Sequence, residues 1–314
     1  MAIGASALST EATLEPAVWG LVGNTPLVPL RGPGPGRLLL KAEWANPSGS
    51  VKDRASREIL RAGIRAGSLP GRRLLDASSG NTAVGYALLG GAAGIGVTVC
   101  VPSNASAERR GLLAVFGAEV VETDPLEGSD GAIRRARELA ERWPDRYWYA
   151  DQYSHAANPR AHYLATGPEI WEATGKTVTH LVAGVGTSGT LMGTARFLKE
   201  RRPDIHAIAV EPDGPFHGLE GLKHMETAIV PAVYDRALID ETVHVSTEEA
   251  EAQVRELARE EGLFVGWSTG AAVAAARRLL ARGIRGPGGK EPVVVVIGPD
   301  GGQRYLSEVG RLRS

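Results

Sequence analysis

Lys52 lies in Asn46-Pro47-Ser48-Gly49-Ser50-Val51-Lys52-Asp53-Arg54. Pro and Gly fix a turn there, and Ser50 can cap a helix whose apolar positions are Ala55, Ile59 and Leu60. A helix N-terminus disfavours a cation. A lysine with a depressed pKa is a better amine nucleophile, which is what Schiff-base chemistry requires. Taken alone, the segment reads better as an exposed lysine at a helix start. The chain has only six lysines, however. Lys41, Lys176, Lys199 and Lys290 fall at element ends or polar turns, and only Lys52 and Lys223 lie in loops with other functional-looking residues.

Three more segments carry polar groups at turns. Asp76-Ala77-Ser78-Ser79-Gly80-Asn81-Thr82 brings hydroxyls, an amide and free helix N–H groups together, an anion cradle suited to a carboxylate or a simple N-cap. Gly184-Val185-Gly186-Thr187-Ser188-Gly189-Thr190 can hold a phosphate but lacks the lysine of a P-loop. It also fits G-x-G-x-x-G, with Glu211 at about the spacing a dinucleotide site needs. Phosphate binding is expected; the phosphate ligand is not fixed locally. Gly266-Trp267-Ser268-Thr269-Gly270 fits a nucleophile elbow, but no histidine follows Ser268, so the order Ser, acid, His of that hydrolase class fails.

The elements that must position these loops alternate strand and helix. Leu74–Asp76, Val97–Val101, Glu119–Glu122, Trp148–Ala150, His180–Ala183, Ala207–Val210 and Val293–Ile297 read as strands. Helical patterns follow at Ala107–Phe116, Ala132–Glu141 and Leu191–Lys199. This alternation predicts an α/β fold with mainly parallel sheets, whose ligands sit beyond the carboxyl ends of the strands. Ala83–Val101 carries no charge, but its five glycines and changing period predict a buried helix, a turn and a buried strand instead of a membrane span. Arg31–Arg37 is a surface turn, and a seam between two lobes is expected near Tyr153–Pro159.

Composition is that of an ordinary soluble globular chain of 314 residues, 43% hydrophobic and 23% charged. A net charge of −1 points to neither nucleic acid nor an anionic membrane as partner. The N-terminal residues make a poor signal peptide, so a cytoplasmic location is expected. Cys100, the single cysteine, sits in an apolar run and reads as a core residue, not as a disulfide or zinc ligand. No metal site is expected.

Together the four segments resemble the cysteine synthase and cystathionine β-synthase family of fold-type II pyridoxal-phosphate enzymes. The likeness runs from Gly23-Asn24-Thr25-Pro26-Leu27 to Pro299-Asp300-Gly301-Gly302-Gln303-Arg304-Tyr305-Leu306, in the family's order. It implies a tryptophan synthase β-like architecture of two lobes, each a mainly parallel twisted sheet flanked by helices. Residues 1–45 and 156–314 would form the larger, cofactor-binding lobe, and 46–155 the smaller, mobile one. Lys52 would hold pyridoxal 5'-phosphate as a Schiff base. Asn81 would bond its phenolic oxygen, Gly186, Thr187, Ser188, Gly189 and Thr190 its phosphate, and Ser268 would face its ring nitrogen. Ser78, Ser79, Thr82 and Gln152 would hold the substrate's α-carboxylate.

The activity implied is closest to that of O-acetylserine or O-phosphoserine sulfhydrylases: β-replacement through an α-aminoacrylate, giving L-cysteine from an O-activated L-serine and a sulfur donor. The donor is sulfide, thiosulfate or a thiocarboxylated carrier protein, and a homodimer is implied. Lys223, in Leu222-Lys223-His224-Met225, is a candidate cation for a phosphate leaving group. A short cystathionine β-synthase is the alternative within the family; a dinucleotide-dependent oxidoreductase is the alternative outside it. Four residues depart from the family pattern: Ser78, Ala83, Ser188 and Trp267. Ser188 carries strain if its position needs φ > 0, and Trp267 is expected to narrow the pocket.

Overall fold

A computed structural model describes residues 15–78 and 80–312. The described strands are β1 (Leu27–Leu30), β2 (Arg37–Ala42), β3 (Arg73–Ala77), β4 (Val97–Pro102), β5 (Glu119–Thr123), β6 (Tyr147–Tyr149), β7 (His180–Gly184), β8 (His206–Pro212), β9 (Glu241–Val245) and β10 (Val293–Gly298). The α-helices are α1 (Lys52–Arg65), α2 (Asn81–Ala92), α3 (Ala107–Val115), α4 (Gly128–Arg142), α5 (Ala157–Ala161), α6 (Gly167–Ala173), α7 (Gly189–Arg201), α8 (Thr247–Glu260) and α9 (Trp267–Ala281).

Two sheets form. One has six strands in the order β1-β2-β10-β7-β8-β9, and the other four in the order β5-β4-β3-β6. Only β1 runs antiparallel to its neighbour; every other pairing is parallel. Parallel strands are covered by helices on both faces, so their sequences read as continuous apolar runs. β10 is the clearest case. Val294 and Val296 pack into a core with α8 and α9, whereas Val293, Val295 and Ile297 pack against α6 and α7. The alternation is the two-residue period of a strand, with both faces buried. In the smaller sheet, Leu74 of β3 and Val97, Val99 and Val101 of β4 join α1 and α2 on one face. Leu75, Ala77 and Cys100 join α4 on the other.

The uncharged run from Ala83 divides as expected into α2, a turn and β4. Among the described residues no helix is long and apolar enough to cross a membrane. Cys100 is fully buried, and burial pushes its thiol up to about 12, so it packs as a small apolar residue. Lys41 is the fifth of the six residues of β2, near an element end as expected, but it is buried there, and its ammonium lies 2.6 Å from Glu169. Glu169 also accepts from Arg54, which in turn is paired with Glu43. These groups satisfy one another inside the protein, the condition under which buried charges are tolerated. They fix α1 from its side away from the cavity described next.

Candidate active site

A cavity of about 270 Å³ lies between the two sheets. Four helices begin at it, with first residues Lys52, Asn81, Gly189 and Trp267. Their unpaired N–H groups and dipoles make the cavity a site for anions.

Lys52 is the first residue of α1, and its backbone N–H is 3.3 Å from Ser50 Oγ. Ser50 thus supports the helix start, although the cap position itself is Val51. Burial of the ammonium lowers the Lys52 pKa, partly offset by the charge of Asp300. The result is an amine biased toward its neutral, nucleophilic form.

Across the cavity, β7 ends in the turn that leads into α7. Ser188 has φ 69° and is buried, so the condition under which this serine carries backbone strain is met. The glycines here are imposed by close approach. A Cβ on Gly186 would lie 2.0 Å from Gly221 O, and one on Gly189 would lie 2.0 Å from Asn158 Oδ1. Gly186, Thr187, Ser188 and Thr190 line the cavity, and the buried Ser188 Oγ has no hydrogen-bond partner among the described residues. An orphaned hydroxyl beside a helix N-terminus fits a phosphate. Two residues that the sequence did not single out hold this turn. Asn158 Nδ2 donates to Gln152 O at 2.8 Å and to Thr187 Oγ1 at 3.2 Å. His162 Nε2 lies 3.2 Å from Thr190 Oγ1, while its Nδ1 lies 2.9 Å from Thr166 Oγ1. His162 and Thr166 bound a π-helical turn between α5 and α6. Burial, then the charges of Arg54 and Lys52, holds the imidazole well below its usual pKa, so it is neutral.

The third wall is the start of α2. Thr82 Oγ1 donates to Gln152 Oε1 at 2.7 Å, and Gln152 Nε2 donates to Ala77 O at 3.0 Å. Ser78 Oγ accepts from the N–H groups of Gly80 and Ala83, both at 3.3 Å, so this hydroxyl caps the helix while also facing the cavity. Ser79 lies outside the described residues. Asn81 Nδ2 donates to Asp300 Oδ2 at 2.7 Å, and its Oδ1 is unpaired among the described residues.

Ser268, in the first turn of α9, lines the cavity as well. Trp267 does not narrow it. The indole is buried under the Tyr305 ring, with centroids 5.8 Å apart, because successive helical residues point about 100° away from each other. Lys223 does reach the cavity, with its ammonium 3.6 Å from Asp130 Oδ1 and 5.2 Å from the Tyr153 ring centroid. Glu211, the acidic residue of a dinucleotide pattern, is buried on β8. It accepts the Met225 N–H at 3.2 Å and lies outside the cavity lining. The cavity therefore joins a buried amine to two helix-start loops whose hydroxyls and N–H groups fit anions, and Glu211 is not among its lining residues.

Comparison with known proteins agrees with this chemistry. Residues 18–298 match the family model described as pyridoxal-phosphate dependent enzyme. The chain is 45% identical over 298 residues to the cysteine synthase of Aquifex aeolicus, covering 91% of this chain and 89% of that relative. It is 39% identical over 304 residues to cysteine synthase A of Escherichia coli, covering 91% and 92%. The crystal structure of a cysteine synthase from Entamoeba histolytica superposes with a TM-score of 0.87 at 32% identity, covering 98% of this chain and 94% of that one. The protein thus belongs to the pyridoxal-phosphate dependent enzyme family, among its cysteine synthase-like members of fold-type II.

Proposed function

We propose that this enzyme makes L-cysteine by β-replacement on O-acetyl-L-serine with a sulfur nucleophile, in a cavity built around Lys52. The observation that carries the proposal is that the buried Lys52 shares one cavity with Asn81, Ser268 and the turn residues Gly186, Thr187, Ser188 and Thr190. Pyridoxal 5'-phosphate fits these residues. Lys52 supplies an amine for its carbonyl, Thr187, Ser188 and Thr190 supply hydroxyls for its phosphate, and Asn81 supplies an amide for its phenolic oxygen. Ser268, which lines the same cavity, would face its ring nitrogen.

Bound there, the cofactor supplies an electron sink for the substrate's α-carbon. The protein does the rest. Thr82, Ser78 and Gln152 orient the α-carboxylate at the α2 N-terminus. A serine at the ring nitrogen cannot stabilise a protonated pyridine as a carboxylate does, which favours departure of the β-substituent as the α-proton leaves. The Lys52 Nζ, biased toward its neutral form by burial, takes that proton. Residues 46–155 act as a mobile lobe over residues 1–45 and 156–314, and closure excludes water.

Lys223 is placed near the leaving group. Its ammonium is already engaged by Asp130 and the Tyr153 ring, which favours acetate over phosphate as the leaving group. The reading takes the working enzyme as a cytoplasmic homodimer using sulfide, thiosulfate or a thiocarboxylated carrier protein. A solved O-ureido-L-serine synthase, 33% identical with a TM-score of 0.85, shares the architecture, so the nucleophile must be tested directly. The purified protein is expected to be yellow and to release cysteine from O-acetylserine and sulfide. A colourless protein that binds no pyridoxal phosphate would refute the proposal.

A further inference from the structure

Asp300 follows β10 at the point where three parts of the site meet. Ser50, two residues before Lys52, forms an antiparallel bridge with it. Gly266 N, at the cap of the helix that bears Ser268, donates to Asp300 O at 3.1 Å. The side chain is fully buried. Its Oδ2 accepts from Asn81 Nδ2 at 2.7 Å and from Tyr305 Oη at 2.7 Å. Its Oδ1 has no hydrogen-bond partner among the described residues. Room for that oxygen exists because residue 266 is glycine: a Cβ there would lie 2.1 Å from Asp300 Oδ1.

A buried carboxylate with one unpaired oxygen is a poor way to gain stability. Its value lies in what it orients. The Asn81 Oδ1 is also without a partner among the described residues, so the bond from Nδ2 to Asp300 is what sets the rotation of that amide. Tyr305, which donates to the same oxygen, lines the cavity with its ring between Trp267 and the Arg109 guanidinium.

We propose that Asp300 is a positioning residue: by accepting from Asn81 Nδ2 and Tyr305 Oη through one oxygen, it fixes the Asn81 amide at the cavity wall in the orientation that meets the cofactor. This rests on the reading of Asn81 as a cofactor contact. The bond is charge-assisted, hence stronger and more directional than the neutral bond an asparagine would offer. The carboxylate also acts on Lys52 through space, raising its pKa against burial.

The test is a double-mutant cycle on cofactor binding, not on turnover. Cofactor-free wild type, Asp300→Asn, Asn81→Ala and the double variant are titrated with pyridoxal 5'-phosphate, following tryptophan fluorescence, with thermal unfolding as a check on the fold. Asp300→Asn is expected to weaken binding by about tenfold in the native background and to have at most a small further effect, through its charge on Lys52, when combined with Asn81→Ala. An equal loss in both backgrounds would mean that Asp300 only supports the fold, and the proposal fails. No loss in Asn81→Ala refutes the role of Asn81 itself, and with it the route through which Asp300 acts. Should Asp300→Asn not fold, Tyr305→Phe removes the other donor to the same oxygen and leaves the charge. Its loss of binding, expected at roughly threefold, must likewise vanish when it is combined with Asn81→Ala, or the proposal is wrong.

Discussion

Arg109 on α3 and Glu220 in the loop after β8 join the two halves of the cavity by a fork-to-fork ion pair. Arg109 is buried, and both residues line not only the main cavity but also an outer hollow of about 300 Å³. The pair is therefore a wall between the two spaces. Glu108 reinforces it by accepting from Ser307 N at 3.0 Å and Ser307 Oγ at 3.2 Å. If residues 46–155 move as a lobe, this contact must form on closing. Glu220→Gln is expected to reduce the protease protection that a non-reacting amino acid confers. Unchanged protection in the variant would show that the mouth is held by other contacts.

Lys52→Ala is expected to abolish turnover and to remove the covalent link to the cofactor while the protein stays folded. Borohydride reduction of wild type followed by peptide mass analysis should place the label on Lys52. A label on Lys223 or Lys41 would overturn the assignment.

Thr82→Ala removes the hydroxyl that links the α2 start to Gln152. Loss of one hydrogen bond to a charged group costs about 1.5–3 kcal/mol, so the first half-reaction should slow by roughly ten- to hundredfold. Stopped-flow absorbance with O-acetylserine measures it. A rate equal to wild type would leave the loop with a capping role alone.

Asp76 supplies a pH signature. Burial raises its pKa from 3.8 to about 7, opposed by hydrogen bonds from the N–H groups of Ala77 and Gln152. Between these two values the folded protein keeps a proton that the unfolded chain has released. Stability from this group is therefore complete below pH 3.8, falls as pH rises and levels off above about 7. Asp53, raised to about 6 by burial, acts in the same direction. Urea unfolding from pH 4.5 to 8 should show a shallower fall in Asp76→Asn than in wild type. Parallel curves would mean that Asp76 is ionised throughout.

Lys223→Ala separates the two serine esters. If Lys223 serves a phosphate leaving group, the variant loses activity with O-phosphoserine and keeps it with O-acetylserine. The engagement of Lys223 by Asp130 predicts the opposite emphasis: little O-phosphoserine reaction in wild type, and a modest loss with both esters in the variant. Initial rates with each ester decide between them.

The sequence by itself determined whatever depends on near neighbours. Strand–helix alternation and continuous apolar runs such as Val293–Ile297 specify parallel sheets with both faces covered, because a strand's period and a helix's period are local properties. Turn chemistry singles out the segments that carry Lys52, Asn81, Gly186–Thr190 and Ser268, whose residues line one cavity, and the family resemblance gives them their roles; the condition set for strain at Ser188 is met by its φ of 69°. The tertiary structure decided what depends on distant partners. Asp300 meets Asn81 across 219 positions, and Arg109 meets Glu220 across 111; no spacing rule connects either pair. Lys41 reads as an element-end lysine, but its counter-charge, Glu169, lies 128 positions away. Trp267, larger than the aliphatic residue usual in the resembled family, is expected to narrow the pocket, but its side chain packs against Tyr305 while that of Ser268 lines the cavity. Side-chain direction and charge partners follow from packing between elements, and that information is in the assembled chain, not in any one segment of it.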